Sequence, residues 1–214
     1  MPAQLEAVTH PGGPPSTSSG PGTGKTHVLA ERFAWLAEHG TPPESILVLG
    51  VTAATATDLR ERIERRVTSP YDELGVTTFR DLCARLLRDE ALEAGVDPFA
   101  APVTQADRLA MLLERMDELP LQLHDLRGSP STLLGSIVQR IDRLKSELVS
   151  ARDYAAWART LPAARAARER EFAALYAAHD RMLAEAGALD AGDLLLHAFT
   201  LVRERPHVRA RVRA

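Results

Sequence analysis

Apolar and polar positions alternate along the first ninety residues with two different periods. In "GKTHVLAERFAWLAEH" (24–39), Val28, Leu29, Phe33, Leu36 and Ala37 fall on one face of a helix. Gly40 then stops that helix, and "TPPES" makes the connection. "ILVLGV" (46–51) is a continuous run of branched residues, which predicts a short strand covered on both faces. Helical spacing returns in "TDLRERIERRV" (57–67) through Leu59, Ile63 and Val67. "GVTTF" (75–79) predicts a second strand and "DLCARLLRDEAL" (81–92) a further helix. Strands separated by helices predict an α/β fold, a parallel sheet with crossover helices.

Beyond about residue 90 the pattern becomes helical throughout. "TQADRLAMLLERMDEL" opens with Thr104 and Asp107 in capping-box spacing, and "SARDYAAWART" repeats that spacing with Ser150 and Asp153. Between them, "STLLGSIVQRIDRLKSEL" carries an apolar stripe through Leu133, Leu134, Ile137, Val138, Ile141 and Leu144. An Ala/Arg/Glu-rich helix runs to Gly187, and Asp190 caps a last one in "AGDLLLHAFTLVRERP". An all-helical block of about a hundred residues is therefore expected after the α/β start.

Chemistry concentrates in "SGPGTGKT" (19–26). A phosphate-binding loop needs backbone N–H groups converging on anionic oxygens at the positive end of a helix. Gly20, Gly22 and Gly24 permit that approach, with Ser19, Pro21 and Thr23 completing the loop. Lys25 supplies a point charge to the β/γ-phosphates, and the Thr26 hydroxyl is a ligand for Mg²⁺. This pattern predicts a nucleotide site. The preceding stretch, "PPSTSS" (14–19), lacks the apolar residues of the buried strand such a loop usually leaves. Proline also cannot donate to a central ladder. Two readings account for it: a shortened, irregular strand, or a non-native stretch made by two compensating frame errors in a GC-rich gene.

Composition narrows the setting. Net charge is −3 and the single cysteine, Cys83, excludes an internal disulfide framework, which fits a reducing, cytoplasmic location. The isoelectric point near 6.2 is not that of a protein whose main task is coating nucleic acid, so any DNA contact must come from a local groove. The basic run "VRERPHVRARVRA" reads as exposed helix surface. No apolar run approaches the ~20 residues that cross a bilayer, so no membrane association is expected.

Taken in order, these motifs resemble the N-terminal part of superfamily 1 DNA helicases of the UvrD/Rep/PcrA type. "PAQLEAVTHPGGP" resembles the family's opening segment, in which Gln4 stands where a glutamine reads the adenine edge. "LGVTAATATDLRERI" resembles a strand ending in a DNA-binding turn; Thr52 is kept, while Val51 replaces an aromatic and Ala53-Ala54 replace a polar pair. "VTTFRDLCARLLR" resembles the next motif, with Thr78 and Phe79 kept and Arg80 where a histidine is usual. Thr52, Thr78, Phe79 and Arg80 are thus the implied DNA contacts, with a weaker grip expected where Val51 and Ala53 cannot stack or bond. Lys145 and Tyr176 match recurrent positions of the helical segment, and Asp190 and Asp193 stand in its acidic "LDAGDLL" motif.

The resemblance implies a partial RecA-like P-loop domain over 1–90, an all-helical inserted subdomain over 91–188, and a returning helix over 189–214. It implies ATP and Mg²⁺ as cofactors and single-stranded DNA, or a junction with duplex, as partner. The family's acidic strand-end, arginine finger and second motor domain have no counterpart in these residues. ATP binding without turnover, in a piece of a 3′-to-5′ helicase, is the expectation. An alternative is a non-catalytic nucleotide- or DNA-binding module that works with a partner helicase or nuclease subunit.

Overall fold

The computed structural model describes residues 2–11, 18, 20, 22–123 and 128–213, with the side chains of Pro2, Ala164 and Arg165 left aside. Ser19, Pro21 and most of the "PPSTSS" stretch lie outside the described residues, so neither reading of that stretch is addressed. The chain divides into two compact units between Leu82 and Cys83.

The first unit contains α1 (Pro2–Thr9), α2 (Lys25–Glu38), β1 (Val48–Gly50), α3 (Ala53–Glu64), β2 (Val76–Thr78) and the opening turn of α4 (Phe79–Asp89). Strands β1 and β2 pair in parallel with Val48 opposite Val76, Leu49 opposite Thr77 and Gly50 opposite Thr78. Phe33 and Ala30 of α2, Leu59 and Ile63 of α3, and Val48, Leu74 and Val76 form one buried cluster. The α3 face read from the sequence, Leu59 and Ile63, meets this core, but α2 turns Ala30, Phe33 and Ala34 inward and leaves Leu29 exposed. Strand β1, expected to be covered on both faces, is covered on one, with Leu49 exposed on the other.

Among the boundaries that differ from the sequence reading, two have a clear local cause. Helix α3 begins at Ala53 rather than 57, because the Thr52 side chain accepts from the Thr55 N–H and caps it. "AATA" has no apolar stripe to announce those first turns. Similarly, Phe79 opens α4 instead of closing β2, because Thr78 accepts from the Asp81 N–H at 3.1 Å.

The second unit holds the rest of α4, then α5 (Ala91–Ala94), β3 (Ala101–Pro102), α6 (Gln105–Glu114), α7 (Pro130–Ser146) and α8 (Ala151–Thr160). It continues through α9 (Ala163–Glu185), β4 (Ala188–Leu189), α10 (Ala191–Glu204) and α11 (Pro206–Arg213). Its main core joins α6 to α9 around Leu112, Ile137, Ile141, Phe172, Tyr176 and Met182. A smaller cluster packs Cys83 and Leu87 against Ala198, Leu201 and Val208. Burial raises the Cys83 thiol, which marks an inert side chain.

The capping expectations match: Thr104–Asp107 and Asp190–Asp193 form reciprocal capping boxes, and Ser150 accepts from the Asp153 N–H. The expectation of an all-helical block needs correction. Strands β3 and β4 pair in parallel, Ala101 with Ala188 and Pro102 with Leu189. Two residues per strand are too few for a period-2 pattern to register in sequence.

Candidate functional site

The phosphate loop ends where its chemistry requires. Gly22 and Gly24 take φ values of 73° and 82°, the left-handed region open mainly to glycine. Gly24 is also the residue before α2, and as a glycine it offers no side-chain cap. The first-turn amides of α2 follow the loop directly, at the positive end of the helix macrodipole. Lys25 Nζ donates to the Gly20 carbonyl at 2.6 Å, and Thr23 Oγ1 donates to the same oxygen at 2.8 Å. That oxygen draws Lys25 and Thr23 toward one point of the loop.

Those features fit a bound triphosphate: the first-turn amides of α2, a lysine ammonium drawn to the Gly20 carbonyl, and Thr26 next in line. Among the described residues no group of three or more His, Cys, Asp or Glu side chains could hold a metal ion. Thr26 suits Mg²⁺ that keeps most of its ligands as water and phosphate oxygens, the usual arrangement for this cation. Gln4 is brought to the loop as well. Its Nε2 donates to the Thr23 carbonyl at 2.9 Å, and a Cβ on Gly24 would stand 3.2 Å from that nitrogen.

The implied DNA contacts gather at the C-terminal ends of two neighbouring parallel strands, where open α/β sheets bind ligands. Because Gly50 pairs with Thr78, the segment Val51–Thr52 leaves β1 beside Phe79–Arg80 leaving β2. Val51 is 94% exposed and Phe79 55% exposed. Gly50 permits the tight exit, since a Cβ there would lie 2.8 Å from the Ala56 backbone nitrogen. Both threonine hydroxyls have work inside the protein. Thr52 Oγ1 lies 2.9 Å from Thr55 Oγ1 while capping α3, and Thr78 Oγ1 donates to Asp81 Oδ2 at 2.7 Å.

A third constellation escaped the sequence reading. Lys145, a lone lysine on α7, is completely buried in the second unit and ion-paired to Asp180, Asp190 and Asp193 at 2.9, 2.9 and 2.5 Å. Arg108 joins from α6, contacting Asp190 at 2.9 Å and Asp142 at 2.7 Å. The Asp190–Asp193 motif thus caps α10 and also anchors buried cations. The signal available was the position of Lys145 on the same stripe as Ile137, Val138 and Ile141.

In the terminal basic run, Arg205 pairs with Glu93 at 2.8 Å and Arg211 with Glu90, an arrangement of exposed helix surface. No helix among the described residues is long and apolar enough to cross a membrane.

The family model for the UvrD/REP helicase N-terminal domain matches residues 1–214. The ATP-dependent DNA helicase PcrA of Bacillus subtilis is 28% identical over 97% of this chain, which spans 26% of that relative. UvrD1 of Mycobacterium leprae, also an ATP-dependent DNA helicase, is 33% identical over 99% of the chain and 27% of its own length. PcrA of Staphylococcus aureus is 26% identical over 96% of the chain and 27% of its length. The chain therefore spans about a quarter of the curated relatives it matches. With a phosphate-loop geometry at Gly22–Thr26 and a match along its whole length, the chain belongs to the UvrD/REP helicase N-terminal domain family.

Proposed function

We propose that this chain is the ATP-binding and DNA-contacting N-terminal part of an ATP-dependent DNA helicase. The observation that carries the reading is the N-terminus of α2, opening from left-handed Gly24 with Lys25 as its first residue and the Lys25 ammonium on the Gly20 carbonyl. Gln4 is the adenine reader, the loop amides and Lys25 hold the phosphates, and Thr26 ligates Mg²⁺. Residues 1–90 belong to a RecA-like domain, 91–188 to a helical insertion, and 189–214 return to the first domain. Hydrolysis and 3′-to-5′ stepping belong to the whole protein, since phosphoryl transfer needs water positioning and charge neutralisation beyond phosphate grip. The protein acts in the cytoplasm, as a soluble partner of DNA.

DNA binding is assigned to the paired strand ends. Phe79 stacks on a base, Arg80 reaches a phosphate, and the turns after Thr52 and Thr78 fix the register of the strand. With both hydroxyls engaged in caps, these threonines act mainly by shaping the turn.

Titration with Mg-ATP of wild type beside Lys25→Ala tests the nucleotide site. Loss of a charge-assisted contact worth about 1.5–3 kcal/mol weakens binding by roughly 10- to 150-fold. Equal affinity in the two proteins refutes the site.

A further inference from the structure

Helix α1, which carries Gln4, has eight residues and no basic side chain in its last turn. A helix this short does not hold itself together in water. Its last carbonyls are bound from outside. Arg32 of α2 donates through Nη1 to the carbonyl oxygens of Val8 at 2.9 Å, His10 at 3.1 Å and Ala7 at 3.3 Å. The guanidinium stands at the negative end of the α1 dipole, where a cation is favoured. At the other end, the Gln4 amide donates to the Thr23 carbonyl of the phosphate loop. Helix α1 is thus clipped at two points to one continuous segment, Thr23 and the helix α2 that follows it.

Arg32 lies seven residues after Lys25, two turns along the same face of α2. The helix that offers Lys25 to phosphate therefore also fixes the element that carries Gln4. We infer that Arg32 is a positioning residue for base recognition: it sets the Gln4 amide at a fixed place relative to the phosphate loop. This rests on the nucleotide reading above. Phosphate grip and base reading come from different elements, and they act together only if α1 cannot drift. Releasing α1 costs base recognition and leaves phosphate grip intact.

The test measures binding of Mg-ATP, Mg-GTP and Mg-tripolyphosphate to wild type, Arg32→Met, Arg32→Lys, Gln4→Ala and the Arg32→Met/Gln4→Ala pair. Arg32→Met is expected to weaken ATP about 3- to 10-fold, as for one lost hydrogen-bonding anchor, with tripolyphosphate affinity unchanged. Its preference for ATP over GTP falls to that of Gln4→Ala, and the double variant is no worse than the worse single one. Arg32→Lys, which keeps a cation at the helix end, recovers most of the preference. Equal losses of ATP and tripolyphosphate, or an unchanged ATP-to-GTP ratio, overturn the inference. Should Arg32→Met fail to fold, judged by amide exchange in α3, the Arg32→Lys and Gln4→Ala ratios decide it: a preference lost in Gln4→Ala and graded in Arg32→Lys supports it, and a ratio moved by neither overturns it. Failure of the nucleotide reading itself has a different signature, equal ATP binding by wild type and Lys25→Ala.

Discussion

Lys145 Nζ lies 2.9 Å from Asp190 Oδ2, with the two side chains 0% and 1% exposed. The pair is the centre of a network in which two cations, Lys145 and Arg108, face four carboxylates, Asp142, Asp180, Asp190 and Asp193. Negative charge is in excess, and the two buried aspartates respond in opposite directions. Burial opposes the Asp190 carboxylate, but Lys145, two backbone and side-chain hydrogen bonds, and Arg108 hold it below the usual range. Burial raises Asp193, and the neighbouring Asp190 charge adds to the rise against the pull of Lys145.

Removing Lys145 leaves that excess uncompensated. Lys145→Met is expected to destabilise the protein by about 3–5 kcal/mol, the cost of breaking a buried pair from one side. Adding Asp193→Asn to Lys145→Met removes one of the stranded charges and recovers part of the loss. Urea unfolding of the two single variants and the double variant measures the coupling. Strict additivity would mean that Lys145 and Asp193 do not stabilise one another.

The alkaline limb of stability follows from the same cluster. Burial works against the Lys145 ammonium, yet Asp193, Asp180 and Asp190 keep its pKa above the ordinary 10.5. Burial, followed by the aspartate charges, pushes the Tyr176 phenol above its ordinary 10.0. Both folded values are raised, so both contributions are complete below the unfolded values and fade as pH rises through the folded ones. Stability is expected to hold up to about pH 10 and to fall steeply beyond it. Tyr176 Oη donates to the Val149 carbonyl at 3.0 Å. Tyr176→Phe should therefore cost about 1 kcal/mol at neutral pH and flatten the alkaline fall. Urea midpoints across the alkaline range test this; a slope as steep as wild type would exclude the phenol as a contributor.

What could be read from the chain was whatever repeats or punctuates. The stripe Leu59–Ile63 and the run around Val48 predicted the elements that now share a core. Capping pairs at Thr104, Ser150 and Asp190 were legible because two residues at fixed spacing suffice to make the bond. Pairings set by tertiary contact were not legible. The only local mark of buried Lys145 is its place on the apolar stripe of α7, since its partners lie 35 or more residues away, at Asp180 and beyond. The β3–β4 pair failed to register for want of length, and the link from Arg32 to α1 for want of any local pattern. Of the candidate site, the left-handed turns at Gly22 and Gly24 were legible because glycine spacing marks positions of positive φ.

Two glycines give opposite predictions under the same substitution. A Cβ on Gly192 would lie 2.5 Å from Lys145 Cβ and 2.8 Å from its Cδ. That stem cannot swing aside, because its end is held by three carboxylates. Gly192→Ala is expected to cost about 1–3 kcal/mol as overpacking. Gly135, inside α7, has nothing within 4 Å of its would-be Cβ. Gly135→Ala should stabilise by about 0.5–1 kcal/mol through backbone entropy. Thermal melts of the two variants settle the contrast; a stabilised Gly192→Ala would show that the Lys145 stem relaxes freely.

Phe79 and Val51 give the DNA site its sharpest test, because exposure separates binding from folding. Phe79 is 55% exposed at the start of α4, and Val51 is 94% exposed at the end of β1. Truncating either removes little from the core. Phe79→Ala should leave the unfolding midpoint close to wild type while weakening single-stranded DNA by about 1–3 kcal/mol, the worth of one stacked base. Val51→Phe supplies a second ring beside the first, on the adjoining strand end, and should tighten binding by a comparable amount. Arg80→Ala acts through phosphate instead, so it should lower the slope of affinity against salt by about one counterion. Fluorescence anisotropy with an oligothymidylate at several salt concentrations reads all three. Unchanged affinity in Phe79→Ala together with unchanged affinity in Val51→Phe would move the strand of DNA away from these two sheet ends.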